Sequence, residues 1–158
     1  MKKLAIFVDV QNIYYTTKQA FKNQLNYRAL WNLASSRGEL INAYAYAIES
    51  HDIKQRSFQQ TLRNIGFNLK LKPYIQRADG SAKADWDVGI ALDVFEIAAS
   101  VDEIILVSGD GDFDILLTRV IERFNINCTV ISVKQLTASS LIRSATTYIE
   151  INQPLLMK

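Results

Sequence analysis

"EIILVSGDGDFDILL", Glu103 to Leu117, joins an apolar run to an acidic turn and then to a predicted helix. The apolar run at 103–107 is short and continuous, which is typical of a strand buried on both faces of a parallel sheet. We predict that the helix spans 112–124. The stretch therefore predicts a strand–turn–helix unit with several carboxylates at the carboxyl end of the strand.

The rest of the chain alternates between the same two kinds of segment. Strands are predicted at 4–8, 40–49, 67–72, 128–133 and 147–151, and helices at 11–23, 27–36, 52–64, 85–99 and 137–145. This alternation predicts an α/β fold, a three-layer sandwich with a mostly parallel central sheet. Because no linker, repeat or low-complexity tract interrupts the 158 residues, we expect a single domain over 1–158.

The strand at 67–72 differs from the others because apolar and polar residues alternate along it. It is therefore predicted to be half-exposed and close to an edge of the sheet, ending at Pro73. An edge strand offers unpaired backbone groups, so a homodimer formed by pairing with a second copy is one prediction.

The bulk composition restricts the chemistry of any site. The formal net charge is +2, so a nucleic-acid site would be a local feature and not a general basic coat. One cysteine and one histidine exclude an internal disulfide and a Cys/His metal site. We find no signal-peptide pattern and no apolar stretch as long as a membrane span, so we expect a cytoplasmic protein with no membrane partner.

Three aspartates alternate in the turn after the strand: Asp110, Asp112 and Asp114. A calcium-binding EF-hand loop would need Gly and Glu at its sixth and twelfth positions, where this chain has Ile115 and Ile121. Helix capping would explain Asp112 alone. It explains neither Asp110 nor the flanking glycines, which allow a tight turn and close backbone approach. Asp114 falls in the first helical turn, where it is either solvated or functional.

Asp9 ends the first apolar run, which places it at the carboxyl end of another predicted strand. It could cap the helix at 11–23, and Asn12 could turn back toward the same pocket.

The predicted helix at 85–99 carries a fourth candidate acid. A polar stripe is predicted at 85, 89, 93, 96 and 100, and a core stripe at Val88, Ala91, Leu92 and Phe95. Asp87 lies on neither stripe, and its helical neighbours are the small apolar residues Ala91, Val94 and Ala98. A carboxylate in these surroundings at a helix start suggests a ligand role.

Ligands of α/β sheets bind beyond the carboxyl ends of the strands, where Asp9, Asp87, Asp110 and Asp112 could converge. Four carboxylates repel one another unless a cation lies between them. An all-oxygen ligand set suits Mg²⁺ or Mn²⁺. Such an ion can activate water and stabilise in-line attack on a phosphodiester.

Three motifs, in this order, resemble a known family over nearly the whole chain: "FVDVQN", the K-x-x-x-D-V-x-x-x-L-D helix start, and "LVSGDGDF". They are similar to the NYN domains of the LabA/DUF88 group, within the PIN-like nuclease superfamily. The resemblance implies a Rossmann-like α/β fold and metal-dependent endoribonuclease chemistry. The family's acidic positions fall on Asp9, Asp87, Asp110 and Asp112, and further motif positions fall on Asn12, Lys83 and Asp93.

One departure leaves a ligand undecided. The family commonly has Lys-Gly-Val-Asp, whereas this chain has "KADWD", with one extra residue, so either Asp85 or Asp87 could be the ligand. Asp87 is favoured because the Asp-Val pair and the downstream Asp93 then keep the family's spacing.

The resulting hypothesis gives each residue a role. Asp9, Asp110 and Asp112 bind the metal directly or through water, and Asp87 completes the cluster and orients or deprotonates the attacking water. Asn12 holds a metal water or a phosphate oxygen. Ser108 hydrogen-bonds Asp9 or a phosphate. Asp85, Asp93 and Asp114 are secondary acidic residues.

The substrate predicted from the resemblance is RNA, in single-stranded form. RNA needs positive charge at the rim of an acidic site, and Arg77 and Lys83, in the long polar loop predicted at 74–84, are the favoured candidates. Exposed aromatic residues could stack on unpaired bases, with Tyr14, Tyr15, Tyr74 and Trp86 as candidates.

Two alternatives remain open. The first is a non-catalytic or weakly active NYN module that binds RNA or a protein. The second is another Mg²⁺ enzyme on an α/β fold, although "DVQNI" lacks the second Asp of a haloacid-dehalogenase phosphatase. A phosphoacceptor receiver could use Lys134, but it would carry its acid pair after the first strand and not after the fourth.

Overall fold

The computed structural model describes residues 1–73 and 85–158, together with the backbone of residues 75–76 and 82–83. The first half contains β1 (Lys3–Asp9), α1 (Val10–Phe21), α2 (Tyr27–Arg37), β2 (Glu39–Ile48), α3 (Ile53–Ile65), β3 (Asn68–Lys72), β4 (Ile75–Gln76) and β5 (Ala82–Lys83). The second half contains α4 (Asp87–Ile97), β6 (Glu103–Val107), α5 (Asp114–Phe124), β7 (Asn127–Ser132), α6 (Ser139–Ser144) and β8 (Thr147–Glu150). A 3₁₀ turn, Gly111–Phe113, leads into α5.

Six strands form one parallel sheet in the order β3-β2-β1-β6-β7-β8. β1 lies at the centre, with Val8 opposite Ala45 of β2 on one side and Val107 of β6 on the other. β4 and β5 form a separate antiparallel pair. The predicted Rossmann-like α/β sandwich is confirmed, and its main sheet is entirely parallel.

The sheet separates two cores, as the alternation of side chains along a strand requires. Leu4, Ile6 and Val8 of β1 pack toward α1, α2 and α3, whereas Ala5 and Phe7 pack toward α4, α5 and α6. All five residues of β6 are buried, which explains its continuous apolar run. The chain therefore changes from one face of the sheet to the other between β1 and β6.

The predicted core stripe of α4 is wrong. Val88 and Leu92 are 74% and 66% exposed, and Phe95 is 37% exposed. The buried residues of α4 and the turn after it are Ile90, Val94 and Ala98. Asp87 shares their face of the helix, so its carboxylate is directed toward the protein and not into bulk solvent.

Asp93 lies on the predicted polar stripe of α4, but its carboxylate is paired with residues of the sheet. Its Oδ2 accepts a hydrogen bond from the Tyr46 hydroxyl at 2.8 Å and an ion pair from Lys70 Nζ at 2.6 Å. Tyr46 and Lys70 belong to β2 and β3, so these contacts fix the rotation of α4 against the sheet.

β3 lies at an edge of the sheet, as its alternating pattern predicts. Pairing of this edge with a second copy stays a prediction. Among the described helices, none has both the length and the apolar character needed to cross a bilayer.

At the amino end of the sheet, Glu103 is fully buried and paired with two cations. Its carboxylate accepts from Lys2 Nζ and from Arg37 Nε, both at 2.8 Å, and from the Thr129 hydroxyl at 2.9 Å. Burial alone would raise the pKa of Glu103, but these hydrogen bonds outweigh burial and hold the pKa below its ordinary value.

Candidate metal centre

The candidate centre lies at the carboxyl ends of β1 and β6. Asp9 is the last residue of β1 and caps α1, its Oδ1 accepting from the Asn12 backbone N–H at 3.5 Å. β1 and β6 continue into helices on opposite faces of the sheet, which leaves a crevice between them.

The loop after β6 is held against the turn after β1 by two side chains. The Ser108 hydroxyl donates to Asp9 Oδ2 at 3.0 Å and accepts from the Asp110 backbone N–H at 3.2 Å. The Gly109 backbone N–H donates to Asn12 Oδ1 at 3.0 Å. Asp110 in turn caps the 3₁₀ turn, accepting from the Asp112 backbone N–H at 3.0 Å. These contacts orient Asp110 toward the crevice.

Gly109 and Gly111 lie in the loop where a segment distant in the sequence approaches the backbone closely. A Cβ on Gly109 would lie 2.9 Å from Thr137 Oγ1, and one on Gly111 would lie 2.7 Å from the Ala138 Cβ. Neither glycine has a positive φ. The segment between β7 and α6 therefore leaves no room for a side chain at either position.

The start of α4 supplies the third side of the crevice. Carboxylate oxygens of Asp87, Asp110 and Asp112 all lie within 4.8 Å of one another, which makes these residues a candidate metal-binding group within the described part of the chain. Asp87 and Asp110 are half-buried and Asp112 is exposed. Three oxygen donors with exposure on one side match the needs of a Mg²⁺ or Mn²⁺ ion that keeps some of its waters.

The pKa of Asp87 reflects the closeness of the neighbouring carboxylates. Its pKa is raised to about 8 by burial, by shared hydrogen bonds with Asp85 and Asp110, and by the negative charges of the same two residues. Without a cation, a proton relieves the repulsion. A divalent cation would relieve it more effectively, so the residues present fit such an ion.

Asp9 does not belong to the three-carboxylate group. Its pKa is raised to about 6, mainly by burial, against the lowering effect of its hydrogen bonds from Ser108 and Asn12; the charges of Asp110 and Asp85 raise it further. Both carboxylate oxygens of Asp9 already accept hydrogen bonds. Direct metal binding by Asp9 stays a prediction, and its contacts show that it organises the loop that carries Asp110.

Asp85 and Asp87 differ in position. Asp85 is exposed, and its Oδ1 accepts from the Asp87 backbone N–H at 2.6 Å, which caps the first turn of α4. The three-carboxylate group includes Asp87 and does not include Asp85. The geometry therefore favours Asp87 as the ligand and gives Asp85 a supporting position beside it.

The structure does not bring the other secondary acids into the group. Asp93 pairs with Tyr46 and Lys70, and Asp114 Oδ1 accepts from the Ile115 backbone N–H at 2.6 Å. Of the predicted substrate-binding residues, Ser108 is fully buried with its hydroxyl engaged by Asp9 and Asp110. Arg77 lies outside the described residues, and for Lys83 only the backbone, in β5, is described.

Two residues position the start of α4: Trp86, which was predicted to stack on a base, and Lys72, which the sequence did not indicate. Trp86 Nε1 donates to the Ala47 carbonyl at 2.8 Å, so this ring packs against β2 and is not free to stack on a base. Lys72 Nζ donates to the Asp85 carbonyl at 2.9 Å and lies 4.5 Å from the Trp86 ring. No local sequence pattern indicates these contacts, because the residues that make them are distant from one another in the sequence.

Comparison with known proteins identifies the family. The NYN domain family matches residues 3–152 of the chain. The chain belongs to the NYN domain family. The predicted resemblance to NYN domains is therefore confirmed.

Two relatives of this NYN domain extend the comparison. The Low amplitude and bright protein LabA of Synechococcus elongatus is 31% identical over 160 residues, which cover 95% of this chain and 84% of the relative. A solved protein of unknown function from Vibrio parahaemolyticus is 51% identical, with a TM-score of 0.94 over 99% of this chain and 96% of that chain. The six-stranded parallel architecture is thus shared with a solved structure.

Proposed function

We propose that this NYN domain is a divalent-metal-dependent endoribonuclease that hydrolyses phosphodiesters of single-stranded RNA. The observation that carries the proposal is the group formed by Asp87, Asp110 and Asp112 at the switch between β1 and β6. Two separate segments, the start of α4 and the turn after β6, supply these carboxylates, and their mutual repulsion has no structural benefit in a site that binds nothing. Membership of a nuclease-like family supports the same chemistry.

The residues of the centre would have different roles in the reaction. Asp87, Asp110 and Asp112 would hold Mg²⁺ or Mn²⁺, which would supply charge stabilisation for in-line attack of water on phosphorus. Asp87 would orient the attacking water or take its proton. Asn12 Oδ1 is engaged by Gly109, so its amide Nδ2 is the group that could donate to a phosphate oxygen. We further propose that Arg77 and Lys83 guide the RNA backbone toward the centre.

Ser108 and Asp9 would act as positioning residues. The buried hydroxyl of Ser108 connects Asp9 to the Asp110 backbone, so the three residues form one hydrogen-bonded unit. Their role would be to hold Asp110 in the geometry that places its carboxylate beside Asp87.

The test is cleavage of labelled single-stranded and structured RNA with Mg²⁺, with Mn²⁺ and with a chelator. The variant is Asp110→Asn and its matched control is Asp102→Asn, an exposed acid just before the opposite end of β6. We expect metal-dependent cleavage by the wild type and the control, and a loss of about a hundredfold or more in Asp110→Asn. Cleavage that persists in Asp110→Asn would contradict the proposal. RNA binding without any cleavage would favour the non-catalytic module.

A further inference from the structure

A cavity of about 640 Å³ lies on the other side of the first turn of α1 from the acidic group. α1, α3 and the end of β2 form most of its wall, with Tyr27 contributed by α2. Its volume falls within the range of about 300–1,000 Å³ that small-molecule sites occupy. The wall includes Val10 and Gln11, the two residues that follow Asp9 in the chain.

Aromatic rings occur at both the inner wall and the mouth of this cavity. Tyr27 is buried and packs edge-on against Phe58, with ring centroids 5.5 Å apart. Tyr14 and Tyr15 are 37% and 58% exposed, so their rings lie at the mouth. Such rings provide stacking surface for a flat, unpaired base.

The polar part of the wall contains an unsatisfied group. Gln11 Oε1 is buried, and within the described part of the chain it is the only buried side-chain nitrogen or oxygen without a hydrogen-bond partner. Gln59 of α3, which also lines the cavity, is buried and donates from Nε2 to the Ile48 carbonyl at 3.0 Å. Burying an unpaired amide oxygen destabilises a protein, so a ligand that supplies a donor is its natural partner.

The position of the cavity relative to the acidic group suggests what the ligand is. Asn12 contacts the loop that carries Asp110, whereas its neighbour Gln11 lines the cavity. The two sites therefore flank one helical turn. The cavity wall contains both Lys54 and Glu49, whose charges offset each other. Lys18 Nζ lies 5.6 Å from the Tyr14 ring centroid and provides positive charge for a phosphate backbone at the mouth.

We propose that this cavity binds one unpaired nucleobase of an RNA strand whose neighbouring phosphodiester lies at the acidic group. The base would stack against the Tyr14 ring, and the Gln11 amide would rotate to hydrogen-bond its edge, as amide side chains do with bases. The inference rests on the proposed function for the identity of the polymer. The cavity would give the protein a base preference next to the cleavage position.

The test measures binding and not turnover, so it is independent of catalysis. Fluorescence anisotropy reports the affinity of a labelled single-stranded RNA octamer in chelator for the wild type, Gln11→Met and Tyr14→Ala. Phe95→Ala is the control, because Phe95 is an exposed aromatic on α4, outside the cavity. We expect the affinity to fall about fivefold in Gln11→Met and about tenfold in Tyr14→Ala, with no change in the control.

Thermal denaturation without RNA separates a binding role from a structural one. Methionine has nearly the volume of glutamine and removes the unpaired oxygen, so Gln11→Met should be at least as stable as the wild type while binding RNA more weakly. If Gln11→Met lost stability together with affinity, the binding role of Gln11 would be contradicted.

A series of octamers, each lacking one base, tests the inference more specifically when binding to the wild type and to Gln11→Met is compared. Removal of one particular base should weaken binding to the wild type more than binding to Gln11→Met, in which only the stacking on Tyr14 remains to be lost. Equal losses in both proteins, wild-type affinity in both cavity variants, or an absence of RNA binding would overturn the inference. If the affinities change as expected but the protein cleaves no RNA, the base site is supported and the nuclease proposal is contradicted.

Discussion

At the scale of single residues, Asp87 shows how a local anomaly can indicate a site. It stands among small apolar helical neighbours, and the structure places it on the buried face of α4 with Ile90 and Val94. The sequence favoured Asp87 over Asp85 only through the family's spacing, because the backbone contact that Asp85 makes at the start of the helix is not visible in the sequence.

Asp87→Asn should make the metal-free protein more stable at high pH. The pKa of Asp87 is raised in the folded protein from 3.8 to about 8, so the wild type loses stability as pH rises through this window. The variant should lack this slope and exceed the wild type at pH 9 by roughly 1 kcal/mol, because partial exposure screens the effect. Urea denaturation in chelator at pH 5 and pH 9 measures the difference. Parallel pH profiles for the two proteins would contradict the expectation.

Ser108→Ala should loosen the unit that holds Asp110. The hydroxyl lowers the pKa of Asp9 and accepts from the Asp110 backbone, so its loss should raise the pKa of Asp9 above its present value of about 6. The unfolding free energy should fall by about 1–3 kcal/mol, since buried polar groups lose their partner. NMR titration of the Asp9 carboxyl and chemical denaturation measure the two effects. Ser100→Ala, at an exposed hydroxyl after α4, is the control and should behave as the wild type.

At the scale of elements, the strands were more predictable than the faces of the helices. Continuous apolar runs indicate strands buried on both sides, and β1 and β6 appear where they were expected. α4 was assigned the wrong core stripe because apolar residues surround most of its circumference. Its rotation is set by contacts from β2 and β3 to Asp93, which no helical periodicity reports.

The corrected face of α4 can be tested with a pair of truncations. Ile90→Ala should reduce the unfolding free energy by about 2–5 kcal/mol, since Ile90 is fully buried. Leu92→Ala should change it by less than about 0.5 kcal/mol, because Leu92 is 66% exposed. Guanidinium denaturation of both variants decides the matter. A larger loss in Leu92→Ala would restore the core stripe predicted from the sequence.

At the scale of the whole molecule, sheet order brings together residues that the chain separates widely. β1 pairs with β6, so the turn after the first strand meets the loop after the fourth predicted strand. The sequence could indicate this edge because parallel strands align their carboxyl ends. It could not indicate the contact of Thr137 and Ala138 with Gly109 and Gly111, nor the cavity beside Gln11. Both depend on packing between distant segments.

The opposite end of the sheet should be responsible for part of the stability at neutral pH. Glu103 is buried between Lys2 and Arg37, so Glu103→Gln should cost about 3 kcal/mol at pH 7. The pKa of Glu103 is lowered in the folded protein, so this contribution is present above the unfolded value of 4.5 and is lost as pH falls through the folded value. The difference between variant and wild type should therefore shrink at pH 3. A difference that stays constant across pH would show that the charge of Glu103 is not what stabilises the sheet.

The central claim is that three carboxylates from two separate segments, the start of α4 and the turn after β6, form one metal centre. Anomalous scattering from a crystal soaked in Mn²⁺ tests it most directly, because the signal locates the ion itself. We expect a peak at about 2.1 Å from carboxylate oxygens of Asp87 and Asp110, with Asp112 bound directly or through water. Saturating Mn²⁺ with no peak between these residues, or with peaks only elsewhere on the protein, would contradict the account.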